Sequence, residues 1–216
     1  MELTWLGHSC FRMRGKDVTL ITDPPSPAIG YSLGRVTADI VTISHDHPGH
    51  NYVQGIAGKP QYVVKGPGEY EIRNVLITGL PTYHDEERGG RYGRNTVYLF
   101  HIDDLLVCHL GDLGHPLQAR EQEEVNGCDV LLLPVGGGNS LDAKGAAELV
   151  SQIEPQLIIP MHYATPALKP AAGALDPVDR FCHEMGVEVT EPLPKLTITR
   201  ASLPPEPKVV LLSYRG

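Results

Sequence analysis

Ser44-His45-Asp46-His47-Pro48-Gly49-His50-Asn51 places three imidazoles within six residues, directly after the apolar run Ile40-Val41-Thr42-Ile43. A strand that feeds a tight loop with His at i, i+2 and i+5 aims several rings at one point. Imidazole is the commonest metal ligand near neutral pH, and zinc favours nitrogen donors. One histidine can be a loop residue that touches only water, but three at this spacing argue for a metal site. Gly49 is the odd position, because it stands where a fourth ligand would be expected and offers no side chain.

Working outward, the first third of the chain reads as strands: Leu3–Leu6, Cys10–Met13, Val18–Ile21 and Ile40–Ile43. Gly15-Lys16-Asp17 has the chemistry of a hairpin turn. Gln61–Val64, Val75–Thr78, Val97–His101 and Leu105–Leu110 follow as further strands, with Asp103-Asp104 closing the last pair. Val130–Leu133 and Leu157–Ile159 are near-continuous apolar runs, as in strands buried on both faces. Helices come late. Asp142 can cap one that carries Ala146, Val150 and Ile153 on a single face. Asp176-Pro177 opens another, with Val178, Phe181 and Met185 on one side and Gly186 to end it. Val209–Leu212 reads as the last strand. Strands first and strand–helix–strand afterwards point to two packed sheets with helices outside, an α+β sandwich.

The 216 residues suit one domain, 1–216, with no repeat, low-complexity tract or linker in the pattern. A hydrophobic share of 41% and a charged share of 20% are those of an ordinary globular protein. No apolar run approaches the ~20 residues of a membrane span. The first residues, Met1-Glu2-Leu3-Thr4-Trp5, do not look like a signal peptide, so a cytoplasmic location is expected. Cys10, Cys108, Cys128 and Cys182 form no CxxC pair and are expected to be free thiols. A net charge of −8 argues against phosphate-backbone binding as the main business of the surface.

Three more positions have ligand chemistry. His84 follows the strand ending near Thr78. Asp112 follows Leu105–Leu110 within Gly111-Asp112-Leu113-Gly114-His115. His162 follows a buried strand within Ile159-Pro160-Met161-His162-Tyr163. Rigid strand ends are where a site can be held in place. Taken in order, His45-x-His47-x-Gly49-His50, His84, Asp112 and His162 resemble the metallo-β-lactamase superfamily, whose signature is H-x-H-x-D-H, H, D, H. Trp5-Leu6-Gly7-His8-Ser9-Cys10-Phe11 and Thr22-Asp23-Pro24 extend the likeness along the chain, and Gly66-Pro67-Gly68-Glu69-Tyr70, Gly111-Asp112-Leu113-Gly114-His115 and Ile159-Pro160-Met161-His162-Tyr163 resemble the branch of ascorbate-6-phosphate-lactonase-like hydrolases.

The resemblance implies a four-layer αββα sandwich and a hydrolase that uses a metal-bound hydroxide on an ester-like bond: lactone, phosphodiester, thioester or amide. It implies zinc or manganese, one or two ions per chain. His45, His47 and His84 would hold the first ion, Asp112 would bridge, and His50 and His162 would hold the second. Asp23 would fix the loop that carries the first histidines. Asp112 and His115 are the catalytic candidates, His115 as a residue lining the pocket.

Gly49 replaces the aspartate of the signature and removes one anionic ligand. Three outcomes stay open: two ions with the second held more weakly, one ion with activity, or a non-catalytic metal- or ligand-binding protein on the same fold. His8 and His115 are the histidines left to line the pocket, with a rim role favoured over ligation for both. Asp46, between two ligands, should point away. The run from Asp85 to Asn95 is polar and glycine-rich. It reads as a solvated loop, or as a flap whose Arg88, Arg91 or Arg94 would hold an anionic group. Gly136-Gly137-Gly138-Asn139 suits the site's rim. The expected partner is a small molecule, with an anionic one as an option. Nucleic acid and membrane are not expected, and homo-oligomerisation is left open.

Overall fold

The computed structural model describes residues 1–214. Its strands are β1 (Glu2–Gly7), β2 (Cys10–Arg14), β3 (Thr19–Thr22), β4 (Ile40–Ile43), β5 (Tyr62–Lys65), β6 (Gly68–Ile72) and β7 (Val75–Tyr83). They continue with β8 (Arg94–Ile102), β9 (Leu105–His109), β10 (Val130–Pro134), β11 (Leu157–Met161), β12 (Leu196–Thr197) and β13 (Lys208–Val209). The helices are α1 (Ala119–Val125), α2 (Ala143–Ile153) and α3 (Val178–Glu184). One sheet has the order β12-β1-β2-β3-β4-β5 and the other β13-β11-β10-β9-β8-β7-β6. Both are mixed: hairpins and the long-range pair β1–β12 make their antiparallel parts, and β3-β4-β5 and β9-β10-β11-β13 run parallel. This is the α+β two-sheet sandwich that the pattern implies.

The larger apolar cluster draws on the inner faces of both sheets, with Trp5, Phe11, Leu20, Tyr98 and Phe100, and on the helices, with Val125, Leu149 and Phe181. Strands β10 and β11 are buried along their whole length, as their unbroken apolar runs require. A smaller cluster covers the outer face of the first sheet. There Leu6, Ile21, Val41 and Ile43 meet Leu33, Val36 and Ile56 from loops and short turns rather than from an α-helix. All three α-helices thus fall after β9.

Local sequence chemistry sets the details. Asp103 and Asp104 both take left-handed φ, 50° and 63°, in the two-residue turn between β8 and β9. Asp142 caps α2 by accepting from the Gly145 N–H at 2.8 Å, and Ala146, Val150 and Ile153 lie on the buried face. Helix α3 begins one residue later than its sequence suggests: Pro177 is the N-cap, and Asp176 instead pairs with Arg180 at 2.8 Å. The expected strand Val209–Leu212 shrinks to β13 and a single bridge between Leu193 and Leu212. Strand β6 and helix α1 have no apolar period to betray them, since β6 is an edge strand without a fully buried residue and α1 buries only Val125.

Candidate metal centre

Strands β1, β3, β4, β7, β9 and β11 all end at one edge of the sandwich. His8, Asp23, His84 and His162 are each the first residue past a strand, while His45 and Asp112 follow within three residues. The two sheets are tied together there. The Thr96 N–H donates to Ser44 O at 2.9 Å, the Tyr98 hydroxyl to Ile43 O at 3.0 Å, and the His162 N–H to His8 O at 3.2 Å. His8, Asp23 and His162 have left-handed φ of 53°, 38° and 53°, an uncommon conformation for non-glycine residues.

The Asp112 carboxylate is the hub. Its Oδ2 lies 3.0 Å from His50 Nε2, 3.2 Å from His162 Nε2, 3.3 Å from His84 Nε2 and 3.7 Å from His45 Nε2. Gly111 lets the chain turn beneath it, with φ +59°; a Cβ there would sit 2.3 Å from Asn95 Oδ1. Buried Asn95 accepts from the Asp112 N–H at 3.1 Å and donates to Leu110 O at 2.9 Å, which fixes the loop.

The imidazoles are oriented from behind. His50 Nδ1 donates to Asp23 Oδ2 at 2.9 Å, and His84 Nδ1 donates to Asn139 O at 2.9 Å. The Ser44 hydroxyl donates to Asp23 and accepts from His45 Nδ1 at 2.9 Å. Asp23 also accepts from the Ser44 N–H at 2.8 Å. Each of these bonds puts a proton on Nδ1, so that Nε2, facing Asp112, is the nitrogen available to a metal once it carries no proton. His45 Nε2 and His50 Nε2 are buried and make no hydrogen bond. Unpartnered buried nitrogens around a carboxylate fit a cation and have no other use here.

His47 stands apart from this pattern. It is exposed, its ring stacks on His45 at 5.9 Å, and its Nδ1 accepts from the Gly49 N–H at 3.2 Å. One of its ring nitrogens nevertheless lies within 4.8 Å of ligand atoms of His45 and His50, and the ring lines the cavity. Candidate ligand atoms group as His45/His84/Asp112, His45/His47/His50 and His8/His50/His162, each set within 4.8 Å.

Electrostatics follow the same division. Burial, with His50 beside it, pushes His45 down to about 3. Burial also works against charge on His50, but Asp112 and Asp23 outweigh it and lift this ring to about 10. Burial opposes ionisation of Asp112 as well, yet His162 and His50 hold it well below the usual carboxylate range. Two buried carboxylates therefore demand positive charge between them.

The centre opens into a cavity of about 340 Å³, the size of a small-molecule site. Its walls include Tyr92, Gly138, Asn139 and the segment Ala171–Leu175, and no Lys or Arg among the described residues lines it. The 86–93 loop does reach the site, but through Tyr92, whose ring lies 5.6 Å from His84; Arg91 stacks on the Tyr92 ring instead of entering. Asp85 stitches that loop by accepting from the N–H groups of Glu87, Gly89, Arg91 and Tyr92 at 2.7 to 3.1 Å. Asp46 points away, onto Asn51 and Lys65.

His115 is not brought to the cluster. Its Nε2 accepts from the Tyr83 N–H at 3.1 Å and its Nδ1 donates to Pro116 O at 2.8 Å, so both nitrogens are committed and it faces neighbouring surface grooves. His109 has more to do than strand packing. It donates to Ser9 O at 2.8 Å and accepts from the Gly111 N–H at 3.2 Å, tying the turn that leads into Asp112 to the start of β2. Neither Asn95 nor Tyr92 carries a sequence signal, because their roles depend on the pairing of β7 with β8 and on the loop between them.

The model of the beta-lactamase superfamily domain matches residues 2–162. A UPF0173 metal-dependent hydrolase of Methanopyrus kandleri is 27% identical over an alignment of 219 positions, spanning 88% of this chain and 94% of the relative. Among solved structures, a candidate Zn-dependent hydrolase of the metallo-β-lactamase superfamily from Thermotoga maritima is 36% identical, with a TM-score of 0.79 over 99% of each chain. The isothiocyanate hydrolase from Delia radicum gut bacteria shares the fold, with a TM-score of 0.69 at 12% identity over 92% of this chain and 99% of that one.

Proposed function

The chain belongs to the metallo-β-lactamase superfamily, and from that premise we propose that it is a metal-dependent hydrolase acting on an ester-like bond of a small, uncharged molecule. The observation that carries this reading is the convergence of four Nε2 atoms within 3.0 to 3.7 Å of one Asp112 oxygen. His45, His47, His84 and Asp112 would hold one ion. His50 and His162 would hold a second, sharing Asp112. When bound, such an ion is a Lewis acid that lowers the pKa of water and polarises a carbonyl or phosphoryl oxygen. A donor set dominated by imidazole favours zinc over manganese.

The chain's own residues supply orientation. Asp23 and Asn139 O keep His50 and His84 in the ligating tautomer, and Asn95 with His109 keeps the Asp112 loop in place. Tyr92 and Ala171–Leu175 wall the cavity with uncharged surface, which favours lactones, thioesters or amides over phosphodiesters. The expected anionic grip by Arg88, Arg91 or Arg94 has no support in the lining. All four cysteines are buried and unbridged, which suits a reducing compartment, and we assign the protein to the cytoplasm. No helix among the described residues is long and apolar enough to cross a membrane.

Elemental analysis of protein from metal-replete growth, followed by a chelator and zinc re-addition in assays on lactones, thioesters, amides and phosphodiesters, tests the reading. The expected result is turnover of a neutral substrate that the chelator abolishes and zinc restores. Less than ~0.2 equivalents of any transition metal would overturn it, since a fitted site retains its ion through purification.

A further inference from the structure

Gly49 leaves room that the structure fills from elsewhere. A Cβ built at Gly49 would meet His8 Nε2 at 3.0 Å and His8 Cδ2 at 3.2 Å. The space into which a side chain at position 49 would project is therefore bounded most closely by the His8 imidazole, which arrives from the end of β1, with His47 Nδ1 at 3.2 Å beside it. Its ring centroid lies 4.2 Å from that of His162 and 4.9 Å from that of His50. The three rings offer one nitrogen each within a common 4.8 Å. His8 is buried, and its Nδ1 has no hydrogen-bond partner.

The local backbone is shaped to deliver this ring. The pairing of β1 with β2 shifts register between Trp5 and Gly7. Gly7 follows with φ +103°, where a Cβ would lie 2.2 Å from the Tyr31 ring. His8 then takes a left-handed φ of 53°, held by the Trp5 indole N–H and the His162 N–H, which both donate to His8 O, at 2.9 and 3.2 Å. A residue kept in that conformation, with an unpartnered buried nitrogen beside two candidate ligands, has a reason to be there.

We propose that His8 is the ligand that replaces the missing carboxylate at position 49, completing a second metal site of His8, His50, His162 and the shared Asp112. This rests on the metal-dependent reading above. It makes the second site one unit less negative and richer in nitrogen than an aspartate-bearing one, and it leaves no carboxylate at position 49 to accept a proton.

The test is metal stoichiometry and the visible spectrum of the cobalt(II)-substituted full chain, for the parent, His8→Asn and the double variant His8→Gly/Gly49→Asp. Asn and Gly tolerate the left-handed φ of position 8, and Gly49 itself is not in that region, so both variants can keep the backbone. Circular dichroism of the metal-free proteins checks that they do. The expected result is two cobalt equivalents in the parent. His8→Asn should retain one and bind the second more weakly by at least about 100-fold, beyond the usual cost of losing a supporting partner. The double variant should recover the second equivalent. Two tight equivalents in His8→Asn, or one equivalent in both parent and variant, would overturn the role of His8 and leave the hydrolase reading standing. A parent that binds no metal would overturn both.

Discussion

The two halves of the centre are held by different means. On the His45, His50 and His84 side, every Nδ1 is tied at 2.9 Å to a carboxylate, hydroxyl or carbonyl that is itself fixed. On the His8 and His162 side, polar support is thin. His162 Nδ1 reaches Ser140 Oγ only at 3.4 Å, and His8 Nδ1 reaches nothing. What places those two rings is backbone: both lie in the left-handed region, and the His162 N–H is bonded to His8 O. One half is positioned by hydrogen bonds to its rings, the other by chain geometry. The division is one of ring support and cuts across the two proposed ion sites, since His50 would share an ion with His162. Loss of a polar partner should therefore disturb the His45, His50 and His84 rings and leave the placement of His8 and His162 nearly untouched.

Asp112→Asn strikes the group both halves share and should have the largest effect. Metal content by elemental analysis should fall for both sites, with affinity reduced by more than about 100-fold, beyond the cost of an outer partner. Retention of either site at parental affinity would mean the halves do not meet at this oxygen. Asp23→Ala comes next. It frees His50 Nδ1 and both donors of Ser44, so metal affinity should drop about 10- to 100-fold. Chemical unfolding of the metal-free protein should show a loss of about 1–3 kcal/mol for the orphaned donors. Ser140→Ala removes the one polar contact of the other half and should change affinity less than about 3-fold, since a 3.4 Å bond is weak. A larger loss would show that His162 leans on its hydroxyl after all.

What the sequence disclosed follows the same line. Strands β4, β10 and β11 were legible because continuous apolar runs mean burial on both faces, and His45 and His162 were legible because each comes just after such a run. Edge strand β6 was not, since half its residues face water. His8 was visible as a histidine but read as a rim residue. Its place beside Gly49 depends on a register shift in β1 and on the packing of one sheet's edge against the other, and neither leaves a periodic trace. His115 misled in the opposite sense. Proximity to Asp112 in sequence suggested proximity in space, but the turn after Gly114 carries it to the Tyr83 N–H instead.

Asp85 gives the mouth of the cavity its character. With four backbone amides of the 86–93 loop gathered on one carboxylate, the loop is a doorpost and not a door. On the proposed function, molecules that enter would be sorted by whether they fit between Tyr92 and the Ala171–Leu175 wall, before any chemistry begins. Selection of that kind reads outline and ignores fine detail, so variety among substrates would be limited by girth more than by the atoms that decorate them.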